Sequence, residues 1–173
     1  YTASFVQSLI DGGSYTDLSA LAAIESSTTN SNAQTLIDSY NNFQTAGGVI
    51  VFSNGNTNTD SDTKYYAALP SFFSELEEAW IAVGNLQYEG SNLANETSDS
   101  NFENRGNPCG TAKEYCLFTD GKNLQGPAFT SGGSSLYWTI PSEGTSWSAP
   151  MVSGGVALLM QAFPNHTAEQ IVD

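Results

Sequence analysis

SNAQTLIDSYNNFQTAGGVIVF, residues 31–52, carries two periodicities back to back. Leu36, Ile37, Tyr40 and Phe43 recur at helical spacing and form one apolar stripe. Ser31 or Asn32 can cap the start of that helix, and Gly47-Gly48 can end it. Val49 to Phe52 then run apolar without alternation and are mostly β-branched. Such a run predicts a short strand covered on both faces. A helix that turns through two glycines into a fully buried strand belongs to an α/β parallel sheet.

The rest of the chain extends this pattern. IAVGN, starting at Ile81, predicts a second buried strand, and ALAAIESS, residues 20–27, a third. TASFVQSLIDGG, residues 2–13, predicts a helix that Gly12-Gly13 closes. The polar runs over 54–64 and 88–108 predict loops. Gly132-Gly133, among alternating apolar and small residues, predicts a hairpin. From Ser146 onward Ala149, Val152, Val156 and Leu159 mark the apolar side of a helix that Pro164 stops. Thr167 then caps a last helix with Glu169 and Gln170 in its first turn.

Composition narrows the function. Among 173 residues, 39% are hydrophobic and 12% aromatic, enough for one domain with a real core. Four basic residues face 18 acidic ones, a formal charge of −14. Nucleic acid is excluded as a partner, because phosphate binding needs a basic face. The acids are scattered and read as a solvated surface. A structural calcium is compatible with so many carboxylates, but no spacing assigns its ligands. No apolar run is long enough to be a transmembrane helix. Cys109 and Cys116 bracket a short loop containing Gly110; with no other thiols present they predict a local disulfide and an oxidising compartment. Asn95 and Asn165 fit the N-glycosylation pattern. Tyr1 reads as an arbitrary start and the last helix as cut off at Asp173, so the expectation is a domain incomplete at both ends.

The chemistry concentrates in EGTSWSAP, residues 143–150. Gly144 permits a tight backbone at the entry to the helix. Ser146 then stands at the helix N-terminus, where free N–H groups and the dipole favour developing negative charge. Pro150 is expected in the first helical turn, where a missing N–H costs little. A serine nucleophile still needs a base for its proton and donors for the oxyanion. A plain Ser/Thr helix cap is the simplest reading of GTS alone; GTSWSAP joined to VSGGVALL is far more specific.

GTSWSAPMVSGGVALLMQAFPNHTAEQI resembles the nucleophile-helix segment of the subtilisin-like serine proteases, the subtilases. GGVIVFSNGN resembles the family's strand whose terminal Gly-Asn completes the oxyanion hole, which maps onto Asn56 after Gly55. Ser53 and Asn54 stand where the family carries alanines, so Asn54 is a second candidate amide. WIAVGNL resembles the following strand. The run of Cys109, Gly110, Ala112, Tyr115, Cys116 and Leu117 is similar to one in autotransporter-passenger subtilases of bacteria. Three matches in the family's order cover most of the chain.

The resemblance implies a subtilisin-like parallel sheet flanked by helices, with residues 1–173 as the C-terminal portion of one peptidase domain. It implies a secreted or cell-surface serine endopeptidase that cleaves peptide or protein substrates, with Ser146 as nucleophile, Asn56 in the oxyanion hole and no required cofactor. Ser26 and Ser27 occupy the place of the substrate-binding strand. The family's Asp and His precede both Asn56 and Ser146, and neither motif is here. His166, the single histidine, follows Ser146 by roughly 30 Å of helix at 1.5 Å per residue and reads as a surface residue. Asp11 ends a predicted helix rather than a strand and is no triad acid. The missing N-terminal part of the domain is therefore an expected partner. The alternative is a subtilase-like passenger domain without activity, serving binding or structure. A lipase-like hydrolase would need a Gly-x-Ser-x-Gly elbow, which the chain lacks.

Overall fold

A computed structural model describes residues 1–13, 15–24, 29–90, 101–122, 124–127, 137–139 and 143–173. The elements run α1 (Ala3–Asp11), α2 (Asp17–Ile24), α3 (Asn30–Thr45), β1 (Ile50–Ser53), β2 (Trp80–Tyr88), β3 (Phe102–Asn104), β4 (Cys116–Thr119), β5 (Gln125–Pro127), β6 (Tyr137–Thr139), α4 (Thr145–Ala162) and α5 (Ala168–Val172). Short 3₁₀ helices, Tyr65–Ser71 and Ser74–Ala79, lie between β1 and β2, and a third, Gly110–Tyr115, leads into β4.

The parallel sheet is the one expected. β2 is central, with β1 parallel on one side and β4 parallel on the other. Strand alternation sorts its side chains into two cores. Ile50, Phe52 and Trp80 face a layer made by α1, α2, α3 and the first two 3₁₀ helices. Val51, Ile81 and Val83 face Val152, Val156 and Met160 of α4 and Ile171 of α5. Both faces are covered here, which suits the unbroken apolar runs Ile50–Phe52 of β1 and Trp80–Val83 of β2. Trp80 anchors the first core: Phe52 stacks on it at 5.1 Å, Tyr40 meets it edge-on at 5.5 Å, and its Nε1–H donates to the Ala67 carbonyl at 3.2 Å. An aromatic pair of this kind adds about 0.5–1.5 kcal/mol beyond area burial.

Several expectations are corrected. Residues 20–24 are helical, not a strand, and belong to α2. Ala-Leu-Ala-Ala is a strong helix former without β-branching, and a short apolar run does not by itself distinguish a buried strand from a buried helix. Thr29, not Ser31 or Asn32, caps α3 by accepting from the Asn32 N–H. Phe43 leaves the stripe and lies over Gly48, 53% exposed, while Ile37 is fully buried. On α4, Leu159 points outward at 44% exposure and Met160 takes its place in the core. Pro150 is the sixth residue of α4, not part of its first turn, so its missing N–H removes the helical donor that the Ser146 carbonyl would receive. The run 88–108 is not loop alone: β3 pairs antiparallel with the outer end of β2. The 126–144 hairpin forms, with β5 pairing β6 from Gln125–Thr139 to Pro127–Tyr137; its Gly132-Gly133 tip lies outside the described residues. Thr167 caps α5 as expected, with Gln170 closing a capping box. Asn95 lies outside the described residues.

Cys109 and Cys116 form the expected disulfide across the third 3₁₀ helix. Closing so small a loop restricts the unfolded chain by about 2–3 kcal/mol on the chain-entropy estimate. Replacing both cysteines with serine is expected to lower unfolding stability by that amount in a urea titration. Unreduced, denatured protein should show no titratable thiol; two thiols would contradict the pairing.

Candidate active site

The C-terminal end of β1 and the N-terminal end of α4 meet, although 89 residues separate Asn56 from Thr145. Thr145, wholly buried, makes the junction. Its hydroxyl accepts from the Gly55 N–H at 3.2 Å and donates to Asn56 Oδ1 at 2.9 Å. Its own N–H donates to the same oxygen at 2.8 Å. Two donors on one atom identify that atom as the amide oxygen, since the nitrogen could accept neither. The Asn56 NH₂ is left without a partner among the described residues, on an exposed side chain. The Asn56 amide also lies against Gly144, where a Cβ would come within 3.1 Å of its nitrogen.

Ser146 is the second residue of α4 and is exposed. Neither its hydroxyl nor its N–H has a hydrogen-bond partner among the described residues. It therefore keeps one of the unpaired amides that every helix start exposes, at the positive end of an 18-residue dipole. The helix start is held from behind. Buried Ser148 donates to the Thr119 carbonyl at 3.0 Å, and the Gly144 N–H donates to the Gly121 carbonyl at 3.2 Å. Gly121 in turn donates to Asn85 Oδ1 at 2.8 Å. Just ahead of Gly144, Glu143 accepts from Gln87 Nε2 at 2.5 Å and lies 3.9 Å from the Arg105 guanidinium.

Asn54 and Asn56 are strongly distinguished. Asn54 is fully buried, its NH₂ turned onto the disulfide at 3.2 Å from Cys116 Sγ. Its backbone is tied away from α4: the N–H donates to the Val83 carbonyl and the carbonyl accepts from the Lys64 N–H. His166 lies past the far end of α4, exposed, with its ring 5.1 Å from that of Phe163. Asp11 ends α1 and accepts from Gln7 at 2.8 Å. Ser26 and Ser27 lie outside the described residues. Among the described residues no group of three or more His, Cys, Asp or Glu side chains gathers where it could hold a metal.

Sequence reasoning assigned no role to Thr145 or to Asn107. Thr145 was visible as the middle of GTS, but its partners lie in another segment. Asn107, fully buried between Gly106 and Pro108, carries no local signal at all. Its neighbour across the loop, Asp60, is paired to Lys64 at 2.7 Å; Lys64 first, then Asn107, holds the Asp60 carboxyl below its ordinary pKa.

Residues 12–173 match the family model described as the Subtilase family. The "Extracellular serine protease" of Serratia marcescens is 30% identical over 141 residues, 72% of this chain and 12% of that protein. Fervidolysin of Fervidobacterium pennivorans is 36% identical over 132 residues, 72% of this chain and 17% of that protein. The Neisserial autotransporter lipoprotein NalP of Neisseria meningitidis is 28% identical over 120 residues, 67% of this chain and 10% of that protein. The chain thus spans between 10% and 17% of the length of these relatives. Among solved structures, the PatG macrocyclase domain is similar with a TM-score of 0.51 at 21% identity, over 76% of this chain and 33% of that one. At that identity the likeness concerns the fold.

Proposed function

The chain belongs to the subtilase family, and on that basis we propose that it carries the nucleophile and oxyanion half of a serine endopeptidase site. A base takes the Ser146 hydroxyl proton as its oxygen attacks the scissile carbonyl. The tetrahedral intermediate collapses with cleavage of the C–N bond, and the same base protonates the leaving amine. Water then hydrolyses the acyl-enzyme to release the acid and restore Ser146. The Ser146 N–H and the Asn56 NH₂ donate to the tetrahedral oxyanion. The observation that carries this reading is the pair of Thr145 hydrogen bonds to Asn56 Oδ1. They fix the amide oxygen inward and leave the NH₂ as a preorganised donor beside the start of α4. Donors held in place before reaction need no reorganisation when charge develops. This chemistry requires a proton acceptor and no redox or nucleotide cofactor.

The base is proposed to come from outside these residues. His166 is the single histidine, and an 18-residue helix, about 27 Å long at 1.5 Å per residue, stands between it and Ser146. The same distance favours the second reading, an inactive passenger domain. The substrate class is peptide or protein, and a bacterial secreted or cell-surface location fits both the names of the relatives and the disulfide.

A fluorophosphonate probe tests the proposal. The full-length protein is expected to label at Ser146, located by peptide mapping, while residues 1–173 alone stay unlabelled. An unlabelled full-length protein in native fold would favour the passenger reading. Rapid labelling of the isolated chain would mean that a base lies within it.

A further inference from the structure

Asn56 can serve as an oxyanion donor only if its backbone is held as firmly as its side chain, and the chain around it is a loop. From Gly55 to Thr63 the backbone lies in no helix or strand. One buried residue supplies hydrogen bonds instead. The Asn107 N–H donates to the Gly55 carbonyl at 2.9 Å, and Asn107 Oδ1 accepts from the Thr57 N–H at 2.9 Å. Gly55 and Thr57 are the two neighbours of Asn56, so a single side chain and its own backbone clamp the peptides on both sides of it. The Asn107 NH₂ is saturated too, donating to the Asp62 carbonyl at 2.7 Å and to Asp60 Oδ2 at 2.9 Å. Both ends of this amide are engaged, which fixes its orientation.

The residues beside Asn107 extend the contact to the other half of the site. Gly106 fits between the two halves: a Cβ there would lie 2.7 Å from the Gly55 carbonyl oxygen and 2.8 Å from Thr145 Cγ2. Arg105 reaches Glu143, which precedes Gly144. Three consecutive residues therefore touch the Asn56 loop, the gap between loop and helix, and the approach to α4. Gly55 itself stands at φ +106°, a conformation that side-chain-bearing residues rarely adopt. That bend is stabilised from outside by the Asn107 hydrogen bonds.

We infer that Asn107, with Gly106 beside it, is a positioning residue for the oxyanion amide: it sets where the Asn56 NH₂ stands relative to the Ser146 N–H. The inference rests on the proposed role of Asn56. Asn107 touches neither substrate nor nucleophile, and acts only through the residue it clamps. A displacement of about 1 Å in a positioned group can cost about 100-fold in rate.

The test is a double-mutant cycle in the full-length enzyme, read as kcat and KM on a peptide substrate. Asn107→Ala is expected to lower kcat by about 10- to 100-fold with KM little changed. In an Asn56→Ala background the same substitution should lower kcat no further, because the donor it positions is already gone. Equal losses in both backgrounds would show a general structural role and overturn the inference, as would an Asn107→Ala enzyme with unaltered kcat. If Asn56→Ala alone leaves kcat intact, the reading of Asn56 fails instead, and the two failures are distinct. Should Asn107→Ala not fold, Asn107→Asp keeps the acceptor for Thr57 but sets a carboxylate against Asp60. Its kcat should fall and be partly restored by adding Asp60→Asn; a loss that Asp60→Asn does not relieve counts against the clamp.

Discussion

Ser146→Ala is expected to abolish fluorophosphonate labelling of the full-length protein and, on the proposed mechanism, to lower kcat by about 10⁶, the magnitude measured when the nucleophile is removed from subtilisin. The geometry makes this a clean experiment. The Ser146 side chain is exposed and has no hydrogen-bond partner among the described residues, so none of the described contacts depends on its hydroxyl. The variant should unfold within about 0.5 kcal/mol of the parent, as surface substitutions usually do. Ser148, two residues on, makes the opposite control. Its hydroxyl is buried and bound to the Thr119 carbonyl, so Ser148→Ala should lower stability by about 1 kcal/mol, the usual net worth of one hydrogen bond, and leave the Ser146 hydroxyl untouched. A Ser146→Ala enzyme that still hydrolysed peptide at the parent rate would end the proposal.

The second large effect belongs to Asn56. Asn56→Ala should lower kcat by about 10²–10³ with KM nearly unchanged, because on the proposed role its donor meets the oxyanion and not the ground-state carbonyl. Subtilisin is again the source of that magnitude. The alanine variant also leaves Thr145 with two unanswered donors, so Asn56→Asp is the sharper probe. It keeps the oxygen that Thr145 binds at 2.8 Å and 2.9 Å. It replaces the outward NH₂ with a carboxylate oxygen, where the proposed mechanism develops negative charge. The loss in kcat should be at least as large as for alanine, with little change in melting temperature. Asn54→Ala separates the two amides, since Asn54 lies against the disulfide; it should reduce stability and spare kcat. The reverse pattern, loss with Asn54→Ala and none with Asn56→Ala, would assign the wrong amide.

Features that depend on neighbours a few residues away could be read from the chain alone. The α3–β1 unit was legible because helical spacing, a glycine stop and a β-branched run act within a turn or two of chain. The same holds for the disulfide, the Thr167 cap of α5 and a serine at the start of a helix with one apolar side. Where an apolar run is short, the reading failed: Ala20 to Ile24 looked like a buried strand, yet their helix-forming Ala-Leu-Ala-Ala run is part of α2, packed against α3. Phe43 and Leu159 sat at the right spacing, yet both point outward, since spacing does not say where the partner layer ends. The candidate site was legible in its residue types and not in its arrangement. Asn54 and Asn56 have the same parity along an extended strand and should face the same way. Gly55, at φ +106° between them, turns the chain so that one amide meets the disulfide at the start of β4 and the other meets Thr145 of α4. The contacts that hold this bend come from Asn107, 50 residues beyond Thr57, and Thr145, 90 residues beyond Gly55. No local propensity encodes them; they exist because β1, β2 and β4 pair in one register and α4 packs across that sheet, and only then do these polar groups find each other.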